Sequence, residues 1–287
     1  MINTLNVYGF ASGIAAGNPD AGLGPLYLYY HPEIFKSLPF QVEWKDLLMA
    51  TSDVRGAEVL PELTEILTLL AQDIAEEPAP FCVLGGDHSS GIGTWSGAAA
   101  KLESSQSLGL IWVDAHMDSH TPETSGSQNI HGMPLSHLLG YGIPELCHLQ
   151  SPQPKIKPEH LCLVGIRSFE AGEAALLKRL NVKVISMEEV KTIGMDQALQ
   201  EALAHVRAAS HIGLSIDLDA FDPQDAPGTG CLEHNGIRSI EFLKAVQGFY
   251  KTPGFLGLEI AELNPLLDDH AKTAYLVRDL MGAVFHV

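Results

Sequence analysis

The sequence predicts an α/β fold, a mostly parallel sheet covered by helices on both faces, in one domain over residues 1–287. Three observations lead there. Strand-length apolar runs alternate with segments whose apolar residues recur at helical spacing, the pattern of repeated βα units. Several runs end in aspartate or histidine, as strands do when they deliver polar groups to the carboxyl edge of an open sheet, where ligands bind. Glycine and proline clusters fall only between these segments and mark no domain boundary.

The first strand is expected over residues 5–10, followed by a glycine-rich segment over 13–24 that ends in Gly24-Pro25. Over residues 57–76, Val59, Leu63, Ile66, Leu67, Leu70 and Ile74 keep helical spacing, and Pro61 sits near the start, where a helix tolerates it. A short strand, 81–84, runs into Gly85-Gly86-Asp87-His88-Ser89, and a glycine- and alanine-rich helix, 90–102, follows. The apolar run 108–113 is the next strand, followed by a polar stretch to His131 and a short helix over 134–139. Residues 142–158 are proline-rich and polar, a long surface connection. Strands are then expected over 161–166, 182–185, 212–216 and 255–260, and helices over 170–180, 196–209, 239–250 and 269–284.

Composition excludes several classes. An apolar fraction of 46% and a charged fraction of 18% belong to a globular chain, and no apolar run approaches the roughly 20 residues that span a bilayer. The amino terminus has no basic stretch ahead of an apolar one, so no secretory signal is expected. The net charge of −18 argues against nucleic acid and anionic membranes as partners, and is compatible with a cationic substrate. Cys82, Cys147, Cys162 and Cys231 show no CxxC spacing, and a reducing cytoplasm fits them best.

The chemistry concentrates at strand ends. Asp114, His116 and Asp118 occupy every second position, and an extended backbone turns such residues to one side. Alone, the trio also fits a surface loop. Two further strand ends supply His88 and the pair Asp217 and Asp219. One divalent ion with six protein ligands would have no position left for chemistry. Two ions sharing bridging aspartates leave room for a water, and their four positive charges balance the four carboxylates. Oxygen-rich ligation favours a hard ion such as Mn²⁺ over Zn²⁺. A water between two such ions is acidified enough to act as hydroxide near neutral pH.

Gly85-Gly86-Asp87-His88-Ser89, Asp114-Ala115-His116-Met117-Asp118 and the segment from Ser215 to Pro223 resemble the three signature motifs of the arginase/agmatinase ureohydrolases, and the stretches 127–134 and 258–265 agree. The resemblance implies a three-layer α/β/α domain around an eight-stranded parallel sheet, usually in homo-trimers or hexamers. It implies two manganese ions per subunit, one held by His88, Asp114, Asp118 and Asp217, the other by His116, Asp114, Asp217 and Asp219. Glu262 matches the carboxylate that grips the substrate guanidinium, and His131 the histidine that shuttles protons. The implied reaction is attack of a metal-bridging hydroxide on the guanidinium carbon, with Asp118 passing a proton to the departing amine.

The loop from Asp118 to His131 has the length and the Ser-x-Asn-x-His pattern of arginases, so Ser127 and Asn129 are candidate contacts to an α-carboxylate. Glu170 aligns with an aspartate that helps bind the α-amino group, and could equally be a first-turn helix residue. There are departures. His120 stands where the family has a substrate-contacting asparagine, Ser168 replaces an aspartate, and Cys231 replaces a threonine beside the guanidinium pocket. Residues 232–235 differ from what usually follows it. The small-molecule substrate is therefore expected to be a guanidino compound, first L-arginine, giving L-ornithine and urea. Agmatine or another guanidino or formimino compound is the alternative, and a non-catalytic metal-binding homologue the third reading.

Overall fold

The computed structural model describes residues 2–52, 56–78 and 80–286. Among them eight strands form one all-parallel sheet: β1 (Thr4–Ala11), β2 (Gln41–Met49), β3 (Phe81–Gly85), β4 (Leu108–Val113), β5 (Leu161–Ile166), β6 (Lys183–Ser186), β7 (His211–Asp217) and β8 (Phe255–Ala261). Their spatial order is β2-β1-β3-β8-β7-β4-β5-β6. The helices are α1 (Leu23–Tyr30), α2 (Leu60–Glu76), α3 (Ser90–Ala100), α4 (Pro134–Leu138), α5 (Pro144–Cys147), α6 (Ala171–Arg179), α7 (Met187–Ile193), α8 (Met195–Val206), α9 (Ser239–Ala245) and α10 (Lys272–Phe285).

Because side chains alternate across a strand, each central strand feeds two cores. Leu84, Val113, Val164, Leu214 and Ile260 pack on one face against α8, α9 and α10, while Phe81, Val83, Leu110, Trp112 and Leu163 pack on the other against α2 and α3. The result is the expected three-layer α/β/α sandwich. The α2 stripe is buried at Leu63, Ile66, Leu67, Leu70 and Ile74, as its spacing foretold. The glycines of α3 let it lie directly on α2, since a Cβ on Gly97 would stand 2.3 Å from the carbonyl oxygen of Ala71.

Four elements were not expected, among them α5, which forms inside the proline-rich connection and buries Leu146 and Cys147. The edge strand β2 has no fully buried residue, and its alternation, clean over Gln41-Val42-Glu43-Trp44-Lys45, breaks at Asp46, where its register with β1 shifts. The helix α1 forms within and beyond the glycine-rich segment, with a proline inside its first turn. The short α7 is bounded by Ser186, whose side chain and that of Glu189 cap each other's backbone amides. Several helices are shorter than their sequence pattern: α2 starts at Leu60, α3 stops at Ala100 and α8 at Val206, and α9 and α10 show the cause. Expected over 239–250, α9 stops at Ala245, and Gly248 then turns into the left-handed region at φ 71°. At α10, Asp268 accepts hydrogen bonds from the amides of Thr273 and Ala274 and so sets the start at Lys272. No helix among the described residues is long and apolar enough to cross a membrane.

Candidate metal centre and active site

The sheet order makes β3, β8, β7 and β4 consecutive neighbours, and the carboxyl ends of these four carry the site. His88 follows β3. Asp114, His116 and Asp118 follow β4, Asp217 closes β7 with Asp219 in the next turn, and Glu262 follows β8. The sequence separates these residues by up to 174 positions, yet the His88 amide donates to Glu262 Oε1 at 2.9 Å.

All six expected ligands come together. His88 Nδ1 lies 3.4 Å from Asp114 Oδ2, 3.3 Å from Asp118 Oδ2 and 3.1 Å from Asp217 Oδ2. His116 Nδ1 lies 3.5 Å from Asp114 Oδ1 and 3.1 Å from Asp219 Oδ2. His88, Asp114 and Asp217 form one potential ligand group, and Asp114, His116 and Asp219 a second, so Asp114 reaches both. Despite those distances, His88 Nδ1 and Asp118 Oδ2 are buried without a well-oriented hydrogen bond. Buried lone-pair atoms converging on a point without satisfying one another suit a cation among them. The donor set, four carboxylates and two imidazoles, fits a divalent ion.

Backbone amides hold the carboxylates in place. The His116 amide donates to Asp114 Oδ1 at 2.7 Å, the Asp219 amide to Asp217 Oδ1 at 2.8 Å, and the Ala115 amide to Asp219 Oδ1 at 3.3 Å. Trp112 Nε1 donates to Asp114 Oδ2 at 2.9 Å, and its ring stacks on His88 at 4.0 Å. Asp118 and Glu262 both take left-handed backbone angles, φ 46° and 70°, a conformation uncommon for residues with a Cβ and found often at functional sites. Gly86 must be glycine, because its Cβ would stand 2.1 Å from the Ser12 carbonyl oxygen. Its own carbonyl receives the Glu262 amide at 2.7 Å, which ties the ends of β3 and β8.

Crowding shifts the titrations. Burial alone would lower the pKa of His88, but Asp114, Asp118 and Asp217 outweigh it and hold the imidazole well above its ordinary value. His116 is raised in the same way, burial opposing and Asp219 and Asp114 prevailing. Burial and the charge of Asp114 push Asp118 up to about 7, and burial with neighbouring carboxylates raises Asp217 and Asp219. Asp114 is the exception: burial would raise it, yet the two imidazoles beside it hold it below the ordinary carboxylate range. Without a cation the cluster retains protons, the behaviour of a site with more carboxylates than positive charge.

These groups line a cavity of about 300 Å³ with His116, Asp118, Asp217, Asp219 and Glu262 at its floor. His131 Nδ1 lies 3.1 Å from Glu262 Oε1, and the imidazole is raised to about 9, its burial outweighed by that carboxylate. His120, Glu170 and Cys231 line the cavity; burial and the Asp219 charge push the Cys231 thiol up to about 12. Ser127 and Asn129 do not reach the lining. Ser127 is exposed, and its hydroxyl turns back to the Asn129 amide at 3.3 Å.

The structure adds residues that the sequence did not single out. Glu173 lines the cavity and approaches His120 Nε2 at 3.3 Å, while accepting the Glu170 amide at 2.9 Å as the capping partner of α6. Its place three residues after Glu170 is a capping-box signal that could have drawn notice. Arg167 donates to the carbonyls of Asp219, Ala220, Glu233 and His234 and so pins the divergent 231–235 segment to the end of β7. Glu233 from that segment comes within 3.6 Å of His116 Nε2. A larger cleft of about 800 Å³ lies at the β2 edge beside Tyr29, Phe35 and Trp44, away from the clustered carboxylates.

Fold and site together define a hydrolase of the ureohydrolase class, whose enzymes act on linear amidines. The model of the arginase family matches residues 4–286. The chain is 36% identical to the arginase of Bacillus subtilis strain 168 over 295 residues, covering 98% of this chain and 99% of that one. The native structure of Bacillus caldovelox arginase superposes with a TM-score of 0.91 at 34% identity, over 99% of this chain and 98% of that one. Entamoeba histolytica arginase in complex with L-ornithine superposes with a TM-score of 0.91 at 25% identity, over all of both chains. The chain belongs to the arginase family.

Proposed function

We propose that the protein is a manganese-dependent arginase, hydrolysing L-arginine to L-ornithine and urea within one domain over residues 1–287. The observation that carries this reading is the convergence of His88, Asp114, His116, Asp118, Asp217 and Asp219 at one sheet edge. His88, Asp114, Asp118 and Asp217 would hold one Mn²⁺ and His116, Asp114, Asp217 and Asp219 the other. Bound there, the two ions supply Lewis-acid acidification of water. Five of the six ligating groups are buried, and His116, 27% exposed, opens to the cavity.

Glu262, 7% exposed, supplies the anion that grips the guanidinium, and its orientation is fixed by the His88 amide. Asp118, which lines the cavity beside Glu262, is placed to relay a proton to the departing amine. His131 reaches from Glu262 toward the cavity mouth with a quarter of its side chain exposed, which suits a group that moves protons between cavity and solvent. Glu170 and Glu173 bring two carboxylates to the cavity wall, which suits a substrate ammonium, and His120 lies against both at 3.8 and 3.3 Å. L-ornithine in the Entamoeba relative supports an amino-acid substrate. A cytoplasmic homo-oligomer, trimer or hexamer, remains the expectation for the assembly.

One observation favours a second reading. The lining holds Glu170 and Glu173 but no lysine or arginine, and Ser127 and Asn129 do not reach it, so a cationic tail without a carboxylate, as in agmatine, also fits. Urea release from Mn²⁺-loaded protein, with L-arginine and agmatine assayed side by side, tests both. Preference for arginine is expected. Preference for agmatine would transfer the assignment to the second reading, and turnover of neither would overturn both.

A further inference from the structure

Glu259 on β8 is fully buried, carries no cationic partner among the described residues, and plays no part in the chemistry above. Its carboxylate accepts three hydrogen bonds: from Ser90 Oγ at 2.5 Å, Trp95 Nε1 at 3.0 Å and Ser215 Oγ at 2.7 Å. A buried carboxylate so deep in a core is costly to keep, which calls for a use. Ser215 connects it to the site, because its hydroxyl oxygen also lies 3.0 Å from His88 Nε2. Hydrogen counting fixes the direction. A serine hydroxyl has one proton, and an ionised Glu259 takes it; the oxygen can then only accept from His88, which makes Nε2 the protonated nitrogen.

We propose that Glu259 is a positioning residue acting through Ser215: the relay Glu259–Ser215–His88 locks the tautomer and rotation of His88 so that its Nδ1 lone pair is presented to a metal ion. The Trp112 ring, stacked on His88 with 15° between planes, fixes the tilt that the single hydrogen bond leaves free. Space for this arrangement is made at Gly91, where a Cβ would press to 2.9 Å from the Trp112 ring and 3.2 Å from Glu259 Oε2. The relay thus crosses from β8 through β7 to the end of β3, and it serves only one of the two ligand groups. Among the described residues His116 has no such relay: its outer nitrogen meets Glu233, from the divergent segment, at 3.6 Å. Partners behind a ligating histidine govern metal affinity strongly.

The inference rests on the metal reading above, and the experiment separates the two. Wild type, Ser215→Ala, Glu259→Gln and Ser90→Ala are titrated with Mn²⁺, free ion being read by electron paramagnetic resonance, and the metal-free proteins are melted. Wild type should bind two ions. Ser215→Ala and Glu259→Gln should each weaken one of the two by about 10- to 100-fold and leave the other unchanged. Ser90→Ala, which removes a Glu259 contact without touching His88, should keep both affinities. If Glu259→Gln does not fold, Ser215→Ala carries the test alone, since it deletes one hydroxyl. Two ions bound with wild-type affinity by Ser215→Ala, with only its melting point lowered, would show a merely structural role and overturn the relay alone. No Mn²⁺ on the wild type would overturn the metal reading and the relay with it.

Discussion

Stripping and restoring Mn²⁺ should change the stability of this protein by an amount that grows with pH. Asp114, Asp118, Asp217 and Asp219 are all 6% exposed or less and share one small volume. An ion that binds only the folded chain adds about 2.7 kcal/mol at a hundredfold excess over its dissociation constant, hence about 5 kcal/mol for two. At about 2–4 °C per kcal/mol, melting should rise by about 10–20 °C. The pH trend follows from the metal-free cluster. Asp118 sits at about 7 in the folded chain, its carboxyl raised by burial and by Asp114. Its contribution to stability is therefore complete below the ordinary carboxylate pKa of about 4 and is lost as pH rises through about 7. Asp217, Asp219, His88 and His116 are raised too and act in the same direction; Asp114, held low, opposes them. The stripped protein should thus lose stability with rising pH, and Mn²⁺, replacing the protons, should restore more at about pH 8.5 than at about pH 6. Calorimetry with and without Mn²⁺ at both pH values reads this. An increment that shrinks as pH rises, or one that survives unchanged in Asp217→Ala, would refute the reasoning.

Glu262→Gln removes the only cavity-floor anion assigned to the guanidinium. It should cost about 2–5 kcal/mol of transition-state binding, a loss of kcat/KM of about 30- to 5,000-fold, with metal content retained; a loss under about threefold would remove Glu262 from that role. Lys155→Met tests a structural feature of the long connection. The buried Nζ of Lys155 donates to the carbonyls of Cys147, Ser151 and Gln153 at 2.6–2.8 Å. Leaving these unpaired should cost about 2–4 kcal/mol, lowering the melting point by about 4–16 °C without changing turnover per folded molecule. An unchanged melting point would mean that the carbonyls find water instead.

Legibility in the sequence followed burial and period. Strands that lie between neighbours, such as β4 and β5, are buried at every position, so their apolar runs stood out. The edge strand β2 is half solvated and mixes Glu43, Lys45 and Asp46 with its apolar residues, and edge position cannot be read before the order of the sheet is known. The metal groups were legible for a related reason. A strand end is a geometric constraint, and three separate runs end in aspartate or histidine; the alternate spacing of Asp114, His116 and Asp118 is not what gathers them, because β4 stops at Val113 and Asp118 takes φ 46°. Ser127 and Asn129 sit in a loop where no period operates, and there the motif gave the residue types but not where the side chains point. Residues that act through others stayed hidden altogether. Within the motifs, Ser215 reads as a strand serine and Glu259 as a break in an apolar run. Only the order β3-β8-β7, in which β8 pairs with both of the others, turns those two residues into the wall behind His88. A chain can announce which groups touch a metal, because ligands must be a few residue types at strand ends. What steadies those groups depends on which strands become neighbours, and that is a property of the whole sheet.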